Sequence, residues 1–204
     1  SRALNRLGPS YIKLGQFLGS RPDLVGNAIS RDLESLQDRV EPFPMEEAKA
    51  LVEGSLGRTI DDMFTRFDPP LAAASIAQVH RARLKEPMRT PVGSAPSTDE
   101  LDVAVKVIRP GVRARFARDL QTFYFAARMA ERFAPGLRRL RPVIVVDSLA
   151  QTTRIELDLR MEAAAFSELA ENTKDDPGIV VPRVDWERSG RDCVTMDWVE
   201  GIKL

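Results

Sequence analysis

The sequence predicts an α+β fold: a helical N-terminal block followed by a lobe built on a small antiparallel sheet with flanking helices. Three observations carry this. Residues 1–64 space their apolar side chains as helices do and are interrupted at prolines. From about residue 67 the pattern shifts to short runs in which apolar and polar positions alternate. Two long helical stretches follow, 112–133 and 142–172, separated by Pro135-Gly136.

The elements can be justified in order. Pro9-Ser10 opens a helix carrying Ile12, Leu14, Phe17 and Leu18, and Arg21-Pro22-Asp23 breaks it. A second helix carries Ile29, Leu33 and Leu36 before Pro42-Phe43-Pro44 ends it. A third runs Met45–Leu56 and stops at Gly57, a residue free to take the left-handed conformation that terminates helices. The segment 74–82 alternates as a strand, and 85–101 is a polar loop rich in Pro, Ser and Thr. The strand 101–108 ends at Pro110-Gly111, and the last elements, 179–186 and 193–198, read as a hairpin about Ser189-Gly190. No internal repeat is visible.

Composition narrows the function classes. The chain has 204 residues, 43% apolar and 29% charged, with 30 basic and 30 acidic side chains. Balanced charge argues against a nucleic-acid partner, whose footprint is a net basic surface. A single cysteine, Cys193, excludes an internal disulfide and fits a reducing compartment. No run approaches eighteen apolar residues, so no spanning helix is expected. The chain begins Ser1-Arg2-Ala3 without an initiator methionine and ends Gly201-Ile202-Lys203-Leu204, which reads as a piece of a longer protein.

The residues that point to chemistry begin with Val103-Ala104-Val105-Lys106. Three valines on one face of the strand put Lys106 on the other, where a lysine can reach the phosphates of a nucleotide. An ordinary solvated lysine has the same pattern. Such a lysine needs a carboxylate on a neighbouring helix, and Glu156, Asp158 and Glu162 are offered by 142–172, with Asp158 and Glu162 four apart on one helical face. The alternative is a solvated acidic face partnered by Arg154 and Arg160. Before the strand, Ala72-Ala73-Ala74-Ser75 is expected to form a tight turn, and Pro69-Pro70 argues against a helix there. A glycine-rich turn would normally cover the phosphates; alanine Cβ atoms restrict that approach. In the first helix Lys13 and Gln16 share a face, and Gly15 between them costs about 1 kcal/mol of helix stability relative to alanine. His80 is expected to be structural, and Cys193, alternating with Thr195, buried and inert. Arg132, Arg138, Arg139 and Arg141 cluster about Pro135-Gly136 as a solvated loop, with contact to anionic lipid headgroups as the alternative.

Four motifs in this order resemble the UbiB family of atypical, kinase-like proteins of ubiquinone biosynthesis. They are Lys13-Leu14-Gly15-Gln16 (KxGQ), the alanine turn 72–75 continuing through Ile76-Ala77-Gln78-Val79-His80, the strand lysine Lys106, and Glu156-Leu157-Asp158 (ExD). The resemblance implies a protein-kinase-like N-terminal lobe over 65–204 with a helical KxGQ extension over 1–64. It implies that Lys106 contacts the phosphates of ATP or ADP, that Glu162 orients it, and that Ala72, Ala73, Ala74 and Ser75 cover the nucleotide. Lys13 and Gln16 should face Glu156 and Asp158 in an occluded cleft and gate it. Met196-Asp197-Trp198-Val199-Glu200-Gly201 resembles the hinge before a second lobe, whose catalytic-loop and Mg²⁺-binding residues are not in this sequence; no metal ligands are expected here without them. The implied activity is that of an atypical kinase or ATPase, the alternative being a non-catalytic scaffold. Implied partners are ubiquinone-biosynthesis proteins and membrane lipid or isoprenoid intermediates. The implied location is cytoplasmic, peripheral to the inner membrane of a bacterium.

Overall fold

A computed structural model describes residues 7–34, 40–88, 101–176 and 178–201. The expected position of Leu36 and most of the polar loop 85–101 lie outside these residues. The chain forms two compact units that interleave along the sequence: 1–40, 74–76 and 111–156 in one, and 41–73, 77–110 and 157–204 in the other.

The first unit is helical. Helix α1 spans Pro9–Gly19, with Pro9 in its first turn and Gly8 ahead of it at φ 104°. That conformation suits glycine, and the Arg115 guanidinium, which donates to the Leu7 carbonyl at 2.8 Å, lies where a side chain at residue 8 would begin. The proline expected to break the helix starts a short one instead, α2 (Pro22–Val25), and α3 follows over Asn27–Glu34. Ser30 ties α3 back to the Gly19 carbonyl. Further along the chain come α6 (Val112–Phe133), a 3₁₀ turn (Pro135–Leu140) and α7 (Pro142–Glu156). The apolar stripes of α6 and α7 meet α1: Phe123, Ala127, Val146 and Leu149 are buried against Tyr11, Leu14 and Phe17. Tyr11 meets Phe123 edge-on with ring centroids 5.0 Å apart.

The second unit holds the sheet. Helix α4 (Met45–Leu56) has Glu46 and Glu47 in its first turn, where the helix dipole favours acid, and Gly57 ends it at φ 67°. A single turn, α5 (Ile60–Met63), is closed by a reciprocal capping box between Thr59 and Asp62. Strands β1 (Phe64–Ala73), β2 (Ala77–Leu84), β3 (Asp102–Ile108) and β4 (Cys193–Asp197) pair antiparallel in that order. Val103, Val105 and Val107 are fully buried while Ala104 and Lys106 are partly exposed, the alternation read from the sequence. The valines form one core with Ala48 and Val52 of α4, Met63, Phe64, Leu84 and Cys193. Each fully buried Val, Leu, Phe or Met side chain among them contributes about 1.5–3 kcal/mol on burial.

Three local expectations are corrected. The stretch 142–172 is two helices: α7 ends at Glu156 and α8 runs Leu159–Asn172, because the Asp158 side chain accepts from the Arg160 amide and caps a new helix. Asp158 and Glu162 therefore do not share a helical face; Asp158 stands before the first turn. The hairpin over 179–186 is absent; one bridge, Val184 to Met196, precedes a 3₁₀ turn at Trp186–Arg188 that Asp185 caps and to which it pairs through buried Arg188. The tight turn also shifts: Ala72 and Ala73 are the last residues of β1, paired with Val79 and Gln78, and 74–76 connect to β2.

Candidate functional site

Lys106 lies in the middle of β3, flanked through the ladder by Val79 on β2 and Val194 on β4. Its Nζ donates to both carboxylate oxygens of Glu162, at 2.8 and 2.6 Å. Glu162 stands in the first turn of α8, where an acid also favours the helix dipole. Both side chains keep partial exposure, 27% for Lys106 and 32% for Glu162, so the pair is open to an incoming group. An ammonium carries three donors and two are engaged, which leaves one for an anion.

The sheet register adds residues that sequence reasoning passed over. Ala104 pairs with Arg81 and with Met196, and Lys106 pairs with Val79. Strand alternation therefore lines Val79, Ala104 and Met196 on the lysine's face, a small apolar surface beside a cation. Their signal was in the sequence only as alternation; pairing β2 and β4 to β3 required the register. Toward the end of this face Asp102 accepts from Arg81 at 2.6 Å and Arg83 at 3.2 Å. The Arg81 hydrogen bond leads the causes that hold the Asp102 carboxyl below its ordinary range. Arg81 also lies over the Trp198 ring, 4.7 Å from its centroid, and the Trp198 amide donates to the Asp102 carbonyl at 3.2 Å.

Behind the turn, His80 and Gln78 form a buried polar relay. The Gln78 amide accepts from the Phe43 amide at 3.0 Å and donates to the Phe43 carbonyl at 3.3 Å. It also donates to His80 Nε2 at 2.9 Å, which makes Nδ1 the protonated nitrogen, donating to the Asp68 carbonyl at 2.8 Å. Burial lowers the His80 pKa, so the ring is neutral. The relay is structural, as expected for His80; the role of Gln78 had no signal beyond its place in the motif.

In the helical unit the Lys13 Nζ reaches Glu156 Oε2 at 2.9 Å, α1 to the last residue of α7. Gln16 is partly buried on α1. Asp158 takes two bonds from the Arg160 guanidinium, 2.9 and 2.6 Å, and that hydrogen bonding leads the lowering of its pKa. The intrahelical partner expected for the acidic segment thus falls to Asp158 through Arg160. Ser75 is buried, and Cys193 is buried with its thiol pushed up to about 11 by desolvation.

Residues 35–204 match the ABC1 atypical kinase-like domain. The chain belongs to that family. The ABC1 match covers the sheet, Lys106 and Glu162, and the resemblance to UbiB read from the sequence holds in the relatives. "Probable protein kinase UbiB" of Pseudomonas fluorescens (strain Pf-5) is 43% identical over 203 residues, 99% of this chain and 36% of that protein. The proteins of the same name from Marinobacter nauticus and Azotobacter vinelandii are 38% and 42% identical, each covering 99% of this chain and 35% of their own length. The chain thus spans about a third of the curated relatives it matches. In this ABC1 member the antiparallel four-stranded sheet with α4 and α8 is a kinase-like N-terminal lobe. No helix among the described residues is long and apolar enough to cross a membrane.

Proposed function

We propose that this chain is the nucleotide-binding part of a UbiB-type atypical kinase or ATPase that supports ubiquinone biosynthesis. The observation that carries the reading is the Lys106–Glu162 pair, a strand cation oriented by a helix carboxylate from both oxygens. The residues present fit a nucleotide: Val79, Ala104 and Met196 offer a flat apolar face for a base, and Lys106 keeps one donor for the α- and β-phosphates. Glu162 fixes the direction of that donor. Ala72, Ala73, Ala74 and Ser75 lie along the phosphates, their Cβ atoms holding the backbone further off than glycine would. Lys13, Gln16, Glu156 and Asp158 gate or tune the cleft, with 1–64 as the KxGQ extension and 65–204 as the lobe. Bound ATP supplies a phosphoanhydride whose cleavage is the chemistry at stake. Mg²⁺ belongs with a second lobe; among the described residues no group of three or more acidic, His or Cys side chains could hold an ion. The working location is the inner-membrane surface, beside biosynthetic proteins and isoprenoid lipids.

A scaffold reading has one observation in its favour, the exposed Phe125 and Phe133 on α6, which offer an apolar docking face. The full-length protein separates the two. ATP turnover lost in Lys106→Ala, with complex assembly intact, is the expected result. Turnover and nucleotide affinity unchanged by that substitution would leave the scaffold as the better reading.

A further inference from the structure

A second basic site lies in the helical unit, at the start of α7. A groove of about 380 Å³ is lined by Arg21, Asp23 and Leu24 on one side and by Arg139, Arg141 and Ile144 on the other. Arg21 is spoken for: it donates to both oxygens of Asp23, at 2.9 and 2.8 Å. Arg139 and Arg141 differ. Neither guanidinium has a hydrogen-bond or carboxylate partner among the described residues. Glu131, the acid at the end of α6, does not neutralise them; its Oε1 accepts from the Val143 amide at 3.1 Å, and its carbonyl accepts from Arg138 at 2.6 Å. Arg141 takes φ 48°, the single non-glycine positive φ among the described residues, at the junction of the 3₁₀ turn and α7. The groove therefore holds two uncompensated positive charges beside a self-neutralised pair. Leu24, Leu140, Ile144 and Val145 supply the apolar part of its lining, and Ile144 is 51% exposed.

We infer that this groove binds a phosphate ester, the phosphate on Arg139 and Arg141 and an apolar substituent along Leu24 and Ile144. Guanidinium groups pair with phosphate oxygens through parallel, charge-assisted hydrogen bonds. Two such groups without internal acceptors gain more from a phosphate than from water, and the groove's volume lies within the range of small-molecule sites. The same chemistry is met by a water-soluble phosphate monoester and by a lipid with a phosphate headgroup. The inference does not rest on nucleotide binding at Lys106.

The test uses the full-length protein and two probes: glycerol 1-phosphate in calorimetry, and phosphatidylcholine vesicles doped with phosphatidic acid in sedimentation. The variants are Arg139→Ala with Arg141→Ala, and a charge-matched control, Arg58→Ala with Arg118→Ala, at exposed positions away from the groove. The groove variant should lose roughly tenfold in affinity for at least one probe while the control keeps it. Loss with vesicles alone assigns the site to a lipid headgroup, loss with glycerol 1-phosphate alone to a soluble ester, and loss with both to whichever probe binds more tightly. Equal loss in groove and control variants would mean general electrostatics and overturn the site, as would no loss in either. Arg139→Lys with Arg141→Lys, which keeps charge but not the planar fork, should recover part of the binding. An unchanged ATP affinity in the groove variant shows that the fold and the Lys106 site are intact.

Discussion

Lys106 and Glu162 approach to 2.6 Å with about a third of each side chain in solvent, so their mutual attraction contributes at most about 1 kcal/mol to folding. On the proposed function the pair matters for direction, because the carboxylate fixes where the ammonium points. Lys106→Ala in the full-length protein should therefore weaken ATP affinity roughly tenfold or more with little change in melting temperature, measured by calorimetry and thermal denaturation. Glu162→Gln should fall between, since the amide can still orient the lysine through one oxygen. His80 makes a second prediction at this scale. Its folded pKa lies below the ordinary value near 6.5, so the unfolded state takes up the proton first as pH falls. The stability it lends is whole above about pH 6.5 and is lost as pH drops from there through the folded pKa. His80→Gln should flatten that loss in denaturant titrations between pH 7 and pH 5; an unchanged pH slope would sink the assignment.

At the scale of elements, Gln78 closes both backbone groups of Phe43 across 35 residues of sequence. Gln78→Ala leaves a buried amide and carbonyl without partners, and should cost roughly 2 kcal/mol in chemical denaturation. The break between α7 and α8 is the element hardest to read from residues alone. Apolar spacing runs on from 142 to 172, so periodicity gives one helix, and an aspartate within it looks like a surface charge. Only the Asp158 side chain turning to the Arg160 amide shows it as a cap. Asp158→Ala should cost about 1 kcal/mol. The strand of Lys106, by contrast, was legible because alternating valines leave no choice of inward face, and Met45–Leu56 because glycine follows it where a left-handed residue is needed. The short β4 partner at 179–186 was misread because an apolar run after a turn resembles a strand even where one bridge is all that forms.

At the scale of the whole molecule, the interleaved units set which changes are local. Ala73 ends β1 in the sheet unit, paired with Gln78. Ala73→Gly should alter the ratio of ADP to ATP affinity in the full-length protein by freeing that backbone; identical ratios in both forms would count against a phosphate-covering role. The site as a set was legible to the extent that each residue belongs to a motif. What the sequence could not give is the register that lines Val79, Ala104 and Met196 beside the lysine, because pairing between strands is decided by the turns and the core, not by any one strand.

Cys193 gives the sheet unit a clock. It is the chain's single cysteine, fully buried opposite Val107, the next residue but one along the face from Val105, and its thiol is held up to about 11. At neutral pH an alkylating reagent can reach it only after the strands part, so the rate of labelling counts openings of that unit and nothing else in the chain. A ligand seated on the same sheet would slow the count by one plus the ratio of its concentration to its dissociation constant. Occupancy of the lysine site could thus be followed by mass spectrometry alone.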